Sequence, residues 1–356
     1  MMTIKHHNHH LAHDPARRRF ATGLGAALAL GLTVGLTSTA WAAPAGNWDS
    51  VIAAAKKEGK LTVYNGTNYP IVRKIADKFQ DKYGIAVQVL DGRASEIQQR
   101  VETEQSAGRH IGDLVYTGTT TLGVDEAEGR FEKHGELPNV GKIAPPLKDD
   151  GTVMPANVGN FALLVNSNLV KPGEIKSWKD LTNPKWKGKI LSDDPRAAGA
   201  GEVWFAVTYE KLGPEYQKKM AAQHPVFSRV YAESERRVAR GEFPVYLPYN
   251  ISQTPGLKGL PVRPIIPEEG VPYVGFGGGI LKDAPHPNAA RVFLNFLLEK
   301  DIQVMLADQG FRPAISGVDQ DIPENLRPLT VGAKLLGTTT ASERNKMLKL
   351  AQKMYK

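Results

Sequence analysis

Amide, hydroxyl and guanidinium groups recur at the polar turns of this 356-residue chain. Asn65, Thr67 and Asn68 lie in "YNGTN", Arg93 and Ser95 in "DGRAS", and Thr117 in "LVYTGTT". Arg196 lies in "DPRAAGAGE", and Tyr249 and Asn250 in "PYNIS". A guanidinium matches a carboxylate or phosphate through two parallel hydrogen bonds. Small residues ahead of a helix, as in "RAAGAG", let backbone N–H groups approach an anion at the helix's positive end. Together these groups read as a site for a small anionic organic solute: a carboxylate, a phosphonate or a phosphorylated sugar. Each also has a structural reading. Asn65 and Asn68 suit turn and cap geometry, and Ser95 with Gln98 three residues on makes a capping box. Arg93 has Asp91 and Glu96 to pair with, and Arg196 has Asp193 and Asp194. Tyr246, near Tyr249, reads as core.

Patterns that carry catalysis or metal binding are missing. The chain holds no Gly-x-Ser-x-Gly, no His-Glu-x-x-His and no phosphate loop ending in Gly-Lys-Ser/Thr. "GFGGG" at 275–279 does not match a dinucleotide fingerprint. Beyond the amino-terminal segment the histidines are His110, His134, His224 and His286, none at ligand spacing from another. No cofactor and no resident metal are expected, and binding is favoured over turnover; an exported enzyme is the rival class.

The turns belong to alternating elements. "KLTVYN", "GIAVQVL" and "GDLVYTG" are short apolar runs, each followed by a polar turn and a helical pattern. After the first turn, Pro70 falls at a first helical position, and Ile71, Ile75 and Phe79 recur every four residues. A β-α-β-α-β start implies a largely parallel sheet, with ligands held where strands end and helices begin. "TVMPANVGNFALLVN" reads as a long strand. "ILSDDPRAAGAGEVWFAVTYEKL" repeats the strand–turn–helix opening. "PVRPIIPEEGVPYVGFGGGILK" is extended, "HPNAARVFLNFLLEKDIQVMLADQGFRPA" reads as two helices with Val292, Phe293, Phe296 and Leu297 on one face, and "SERNKMLKLAQKMYK" is a basic amphipathic helix expected to pack. Length allows two cores, so two lobes are expected.

Residues 1–42 read as a signal peptide: a basic start, an Ala/Leu/Gly-rich run and the small-residue site Ala40-Trp41-Ala42. Arg17-Arg18-Arg19-Phe20 fits the twin-arginine export pattern, so the expected location is the periplasm. The histidines at 6, 7, 9, 10 and 13 would leave with that segment. Removing Lys5, Arg17, Arg18, Arg19 and Asp14 lowers the net charge of +8 to +5, a mild excess without the basic runs that bind nucleic acid. With zero cysteines, stability rests on packing.

The order and spacing of "LTVYNGTN", "FQDKYGIAVQVLDGRASEIQQRVETEQSAGRHIGDLVYTG", "SWKDLTNPKWKGKI" and "APHPNAARVFLNFLLEKDIQVMLADQGFRPA" resemble those of periplasmic solute-binding proteins of ABC importers, the two-lobed class that includes ferric-ion binders. The resemblance implies an α/β fold of two lobes, each a mostly parallel sheet flanked by helices, joined by extended hinge strands with the ligand cleft between. It places residues 43–155 and 272–320 in one lobe, 156–271 in the other, and 321–356 in a carboxyl-terminal helical segment. It further implies hinge closure on the solute, delivery to an inner-membrane permease, and a monomer. A ferric-ion or ferric-chelate binder is the alternative. Against it, Asn68 stands where such relatives have histidine, Thr117-Gly118-Thr119 where they have glutamate, and Ile251-Ser252 where they have a tyrosine pair.

Overall fold

The computed structural model describes residues 48–67 and 69–356; the signal-peptide expectation and Asn68 lie outside them. The alternating start is present as α1 (Trp48–Glu58), β1 (Lys60–Asn65), α2 (Ile71–Tyr83), β2 (Ala86–Asp91), α3 (Ala94–Ser106), β3 (Leu114–Gly118) and α4 (Thr119–Ala127). Then come the short β4 (Phe131–Glu132) and the long β5 (Val153–Asn166). The chain continues through β6 (Ile190–Asp193), α5 (Ala200–Leu212), α6 (Pro214–Ala221), β7 (Val226–Ser228), α7 (Tyr231–Ala239), β8 (Val245–Asn250) and β9 (Val262–Ile265). It returns along β10 (Val271–Leu281) to α8 (Pro287–Leu297), α9 (Lys300–Asp308), β11 (Arg312–Pro313), β12 (Leu335–Gly337) and α10 (Ala341–Met354).

Two lobes share one path of strands, β2-β1-β3-β10-β5-β8-β6-β7. The pairs β2-β1-β3 are parallel in one lobe, and β8-β6-β7 are parallel in the other. Between them β5 and β10 run antiparallel and cross from lobe to lobe. The first half of β5 pairs with β10 from Val153 to Asn160, and its second half pairs with β8 and β9 from Phe161 to Asn166. All fourteen residues of β5 are buried, which is why it reads as one apolar run with no polar face.

Each lobe has its own core, the first legible from periodicity. Ile71, Ile75 and Phe79 of α2 meet Val292, Phe293, Phe296 and Leu297 of α8 in the first lobe, with Phe79 edge-on to Phe293 at 5.2 Å. Trp178, Trp204, Phe205 and Leu247 form the second, and Met347, Ala351 and Tyr355 at the carboxyl-terminal end pack into it. α10 is thus a packed terminal helix. Two cap expectations shift. Pro70 is the residue before α2 and Gly84 ends it at φ +68°. Arg93, not Ser95, precedes α3: the Arg93 N–H donates to the Glu96 carboxylate at 2.9 Å, while Gln98 turns away to donate to Asp125. Glu96 and Gln98 both offered acceptors; the carboxylate at the helix's positive end makes the stronger bond.

The run Gly275–Gly279 on β10 has a packing cause. A Cβ on Gly277 would collide with the Met154 carbonyl of β5, one on Gly278 would lie 2.7 Å from Leu294 of α8, and one on Gly279 2.9 Å from Phe131. Side chains are excluded because neighbouring backbone and core fill the space. Gly277→Ala is expected to cost about 3 kcal/mol or prevent folding, since backbone must move. Gly84→Ala, at positive φ with open space around its would-be Cβ, should cost about 1 kcal/mol. Urea denaturation of both variants measures the difference.

Candidate functional site

The turn after β1 is built to hold one aromatic residue. Asn65, fully buried at the strand's end, donates through Nδ2 to Asp91 Oδ1 (2.6 Å) at the end of β2. Its Oδ1 accepts from the Thr67 N–H (3.1 Å) and hydroxyl (2.6 Å), an Asx turn. The Thr67 hydroxyl oxygen in turn accepts from the Tyr69 N–H at 3.1 Å. Gly66 lets this turn close on β3, because a Cβ there would stand 2.7 Å from the hydroxyl of buried Thr117. Tyr69 is delivered to the boundary of the lobes, its ring edge-on to Phe276 of β10 (5.5 Å) and Phe311 (5.3 Å).

Tyr69 meets the second lobe directly. Asn250, the last residue of β8, donates through Nδ2 to the Tyr69 hydroxyl at 2.7 Å, and its Oδ1 accepts from the Ser252 N–H. Burial pushes the Tyr69 phenol above its ordinary range, and Asn250 pulls against that shift. Tyr116 of β3 lies near Tyr69, and its hydroxyl donates to Asn157 Oδ1 on β5. Burial raises Tyr116 too.

On the second lobe's face the turn between β6 and α5 is occupied by its own carboxylate. Asp193 is buried and accepts from the Gly201 N–H at 2.6 Å. Burial lifts it to about 6, with the Gly201 amide and Arg229 opposing. A Cβ on Gly199 would lie 3.2 Å from the hydroxyl of Tyr231, the first residue of α7. One turn on, Glu235 is buried and lifted to about 7, only Arg236 opposing. The exposed Arg229 reaches the Ala198 carbonyl at 3.4 Å, pulls down both Asp193 and Asp194, and makes no ion pair among the described residues.

Of the nine residues expected to touch solute, the structure brings Asn250 to the boundary between the lobes. Asn65, Thr67 and Thr117 shape the turn that positions Tyr69. Arg93 and Ser95 are exposed at the start of α3. Arg196 is tied to Asp194 by two bonds (2.8 and 2.9 Å), reaches the Tyr355 carbonyl, and lies over the Phe227 ring. Tyr249 is fully buried with its hydroxyl on Thr254, beside the equally buried Tyr246. Asn68 lies outside the described residues. Tyr69, Tyr116, Asn157, Asp193, Arg229, Tyr231 and Glu235 were not singled out from sequence. Tyr69 and Asp193 adjoin the turns quoted above, whereas "SRVYAESE" carries no motif. Among the described residues no three His, Cys, Asp or Glu side chains gather as a metal site.

The model of the family described as bacterial extracellular solute-binding protein matches residues 61–312. Iron uptake protein A1 of Synechocystis is 22% identical over 324 residues, covering 85% of this chain and 88% of that one. The spermidine/putrescine-binding periplasmic protein of Escherichia coli is 25% identical over 278 residues, 72% of this chain and 77% of that one. The periplasmic binding protein AfuA of Actinobacillus pleuropneumoniae, solved with exogenous fructose 6-phosphate bound, superposes with a TM-score of 0.70 at 21% identity, covering 83% and 98%. That likeness shows the shared fold. Among the described residues no helix is long and apolar enough to cross a membrane.

The raised carboxylates make stability depend on pH. Glu235 keeps its proton in the fold up to about 7, whereas the unfolded chain releases it near 4.5. Its stabilising contribution is therefore complete below 4.5 and lost as pH rises through 7. Relative to wild type, Glu235→Gln should gain roughly 3 kcal/mol between pH 4.5 and 8. Urea denaturation at both pH values checks this; a constant difference would mean that Glu235 titrates normally.

Proposed function

The chain belongs to the bacterial extracellular solute-binding proteins, and from that premise we propose that it captures a small anionic organic solute between its lobes. As a periplasmic substrate-binding protein of the ABC-importer class, it works with a membrane permease. The finer reading has the lobes hinge where β5 and β10 cross, with the solute favouring closure by as much as it touches both faces. Twin-arginine export of a monomer that changes no bond in the solute completes the proposal. One observation carries the anionic class: Arg229, beside the β6–α5 turn, has no acidic partner among the described residues. A carboxylate or phosphate there would meet a guanidinium with donors to spare.

A second reading has its own support. Buried Asp193 and Glu235 near Tyr69 and Tyr231 also suit an amine, and one relative is named for spermidine and putrescine, another for thiamine. The sign of the pH response separates the two. Asp193 and Glu235 lose protons as pH rises through about 6 and about 7, so anions should bind more tightly at pH 5.5 than at pH 8, and amines the reverse.

The test uses residues 43–356, freed of carried-over solute, in a thermal-shift panel of citrate, phosphonates, sugar phosphates, spermidine, thiamine and ferric citrate. A ligand at about a hundred times its Kd stabilises by about 2.7 kcal/mol, which the melting curve resolves. Arg229→Ala should weaken the responding anion by about ten- to a hundredfold, the worth of one charge-assisted bond. A response confined to amines, strengthening with pH, would replace this reading with the second; chemical change in the solute would replace both with an enzyme.

A further inference from the structure

At the corner beneath Tyr69 the protein holds a buried amide donor that meets no acceptor. Asn157 is fully buried, and its Nδ2 has no partner. Its orientation follows from the 2.5 Å contact between the other end of the amide and the Tyr116 phenol, a length of O–H···O and not of N–H···O bonds, which places the oxygen there and leaves the nitrogen as an unmet donor. Ser252 Oγ is likewise buried without a partner, next to the Tyr69 hydroxyl but outside hydrogen-bond geometry. The Tyr69 oxygen accepts from Asn250, so its own proton remains to be given.

The backbone aims Asn157 here. The pairing of β5 with β10 shifts register between Phe276 and Gly277, so that Phe276 faces Asn157 and Gly277 faces Pro155, leaving Ala156 as an extra residue. Such a bulge turns a side chain that regular alternation would send elsewhere. Asn157 thereby stands opposite Phe276, whose ring packs on Tyr69. Burying an amide donor without an acceptor forfeits its hydration, and two apolar side chains of similar size would fill the Tyr116–Asn157 space with nothing left unpaired.

We infer that Asn157, oriented by Tyr116, is a specificity-determining donor to the uncharged hydroxyl or carbonyl oxygens of the solute, distinct from the guanidinium that takes its charged group. The inference rests on the anionic-solute reading above and assigns the non-ionic part of that solute. Oxygen-rich solutes would be held at both ends, and a bare anion at one.

The test is the double variant Tyr116→Phe/Asn157→Leu with fructose 6-phosphate, citrate and inorganic phosphate as probes. Without probe, the double variant should melt at or above the wild-type temperature, because the unmet donor has gone together with its partner. Its affinity for fructose 6-phosphate or citrate should fall at least tenfold, while inorganic phosphate binds as in wild type. Asn157→Met, whose thioether keeps a weak acceptor for Tyr116 and removes the donor without adding charge, should show the same loss if the double variant misfolds. A double variant that folds but melts below wild type, or unchanged affinity in either variant, overturns the inference while leaving anion binding intact. Wild-type protein that answers to none of the three probes, or to spermidine alone, overturns it together with the anionic reading.

Discussion

Everything in this molecule hangs on the close approach of β10 to β5. These two antiparallel strands are the partners that pass from one lobe to the other, and they approach so closely that a Cβ on Gly277 would strike the Met154 carbonyl. This pair is the ribbon that both lobes share. The strand ends that carry Tyr69 on one side, and Asn250, Asp193 and Arg229 on the other, face one another because the ribbon fixes where they stop. The bulge at Ala156 interrupts that ribbon and sets Asn157 opposite Phe276, whose ring packs on Tyr69.

The parts of the fold legible in the sequence are those whose cause is local. α8 declares itself through Val292, Phe293, Phe296 and Leu297, since a helix facing a core must repeat its apolar residues at helical spacing. β5 declares itself as an apolar run because both of its faces are covered. The start of α3 is less legible, since Arg93, Ser95, Glu96 and Gln98 offer competing caps within one turn, and their ranking depends on Asp125 nearly thirty residues away. The candidate site is less legible again. Tyr69 acquires its place through Asn250, 181 residues on, and nothing near "NYP" announces that partner. Asn65 illustrates the converse. Its amide sits at the expected strand end, yet Asp91 and Thr67 take its hydrogen-bonding groups, so position alone did not reveal its role.

The charge pattern follows the same logic of distance and burial. Arg196 stands two residues from Asp194, close enough to close a bidentate pair within its own turn. Arg229 reaches the same turn from another element and finds Asp194 already engaged. One turn therefore has one neutralised arginine and one available, a distinction set by which guanidinium the chain brings first.

Asp193 shows why the second lobe's face is poised instead of settled. Its carboxylate accepts the Gly201 amide at the start of α5, where the helix favours negative charge. Burial acts against that charge and prevails, lifting the group to about 6. Near neutrality the helix end holds an anion of its own, and toward pH 5 a neutral acid takes its place. An incoming anion thus meets repulsion that pH relieves, and an incoming cation meets attraction that pH removes. The same buried carboxyl makes the charge of this turn follow pH, with the Arg229 guanidinium at its edge drawing the carboxyl toward its ionised form.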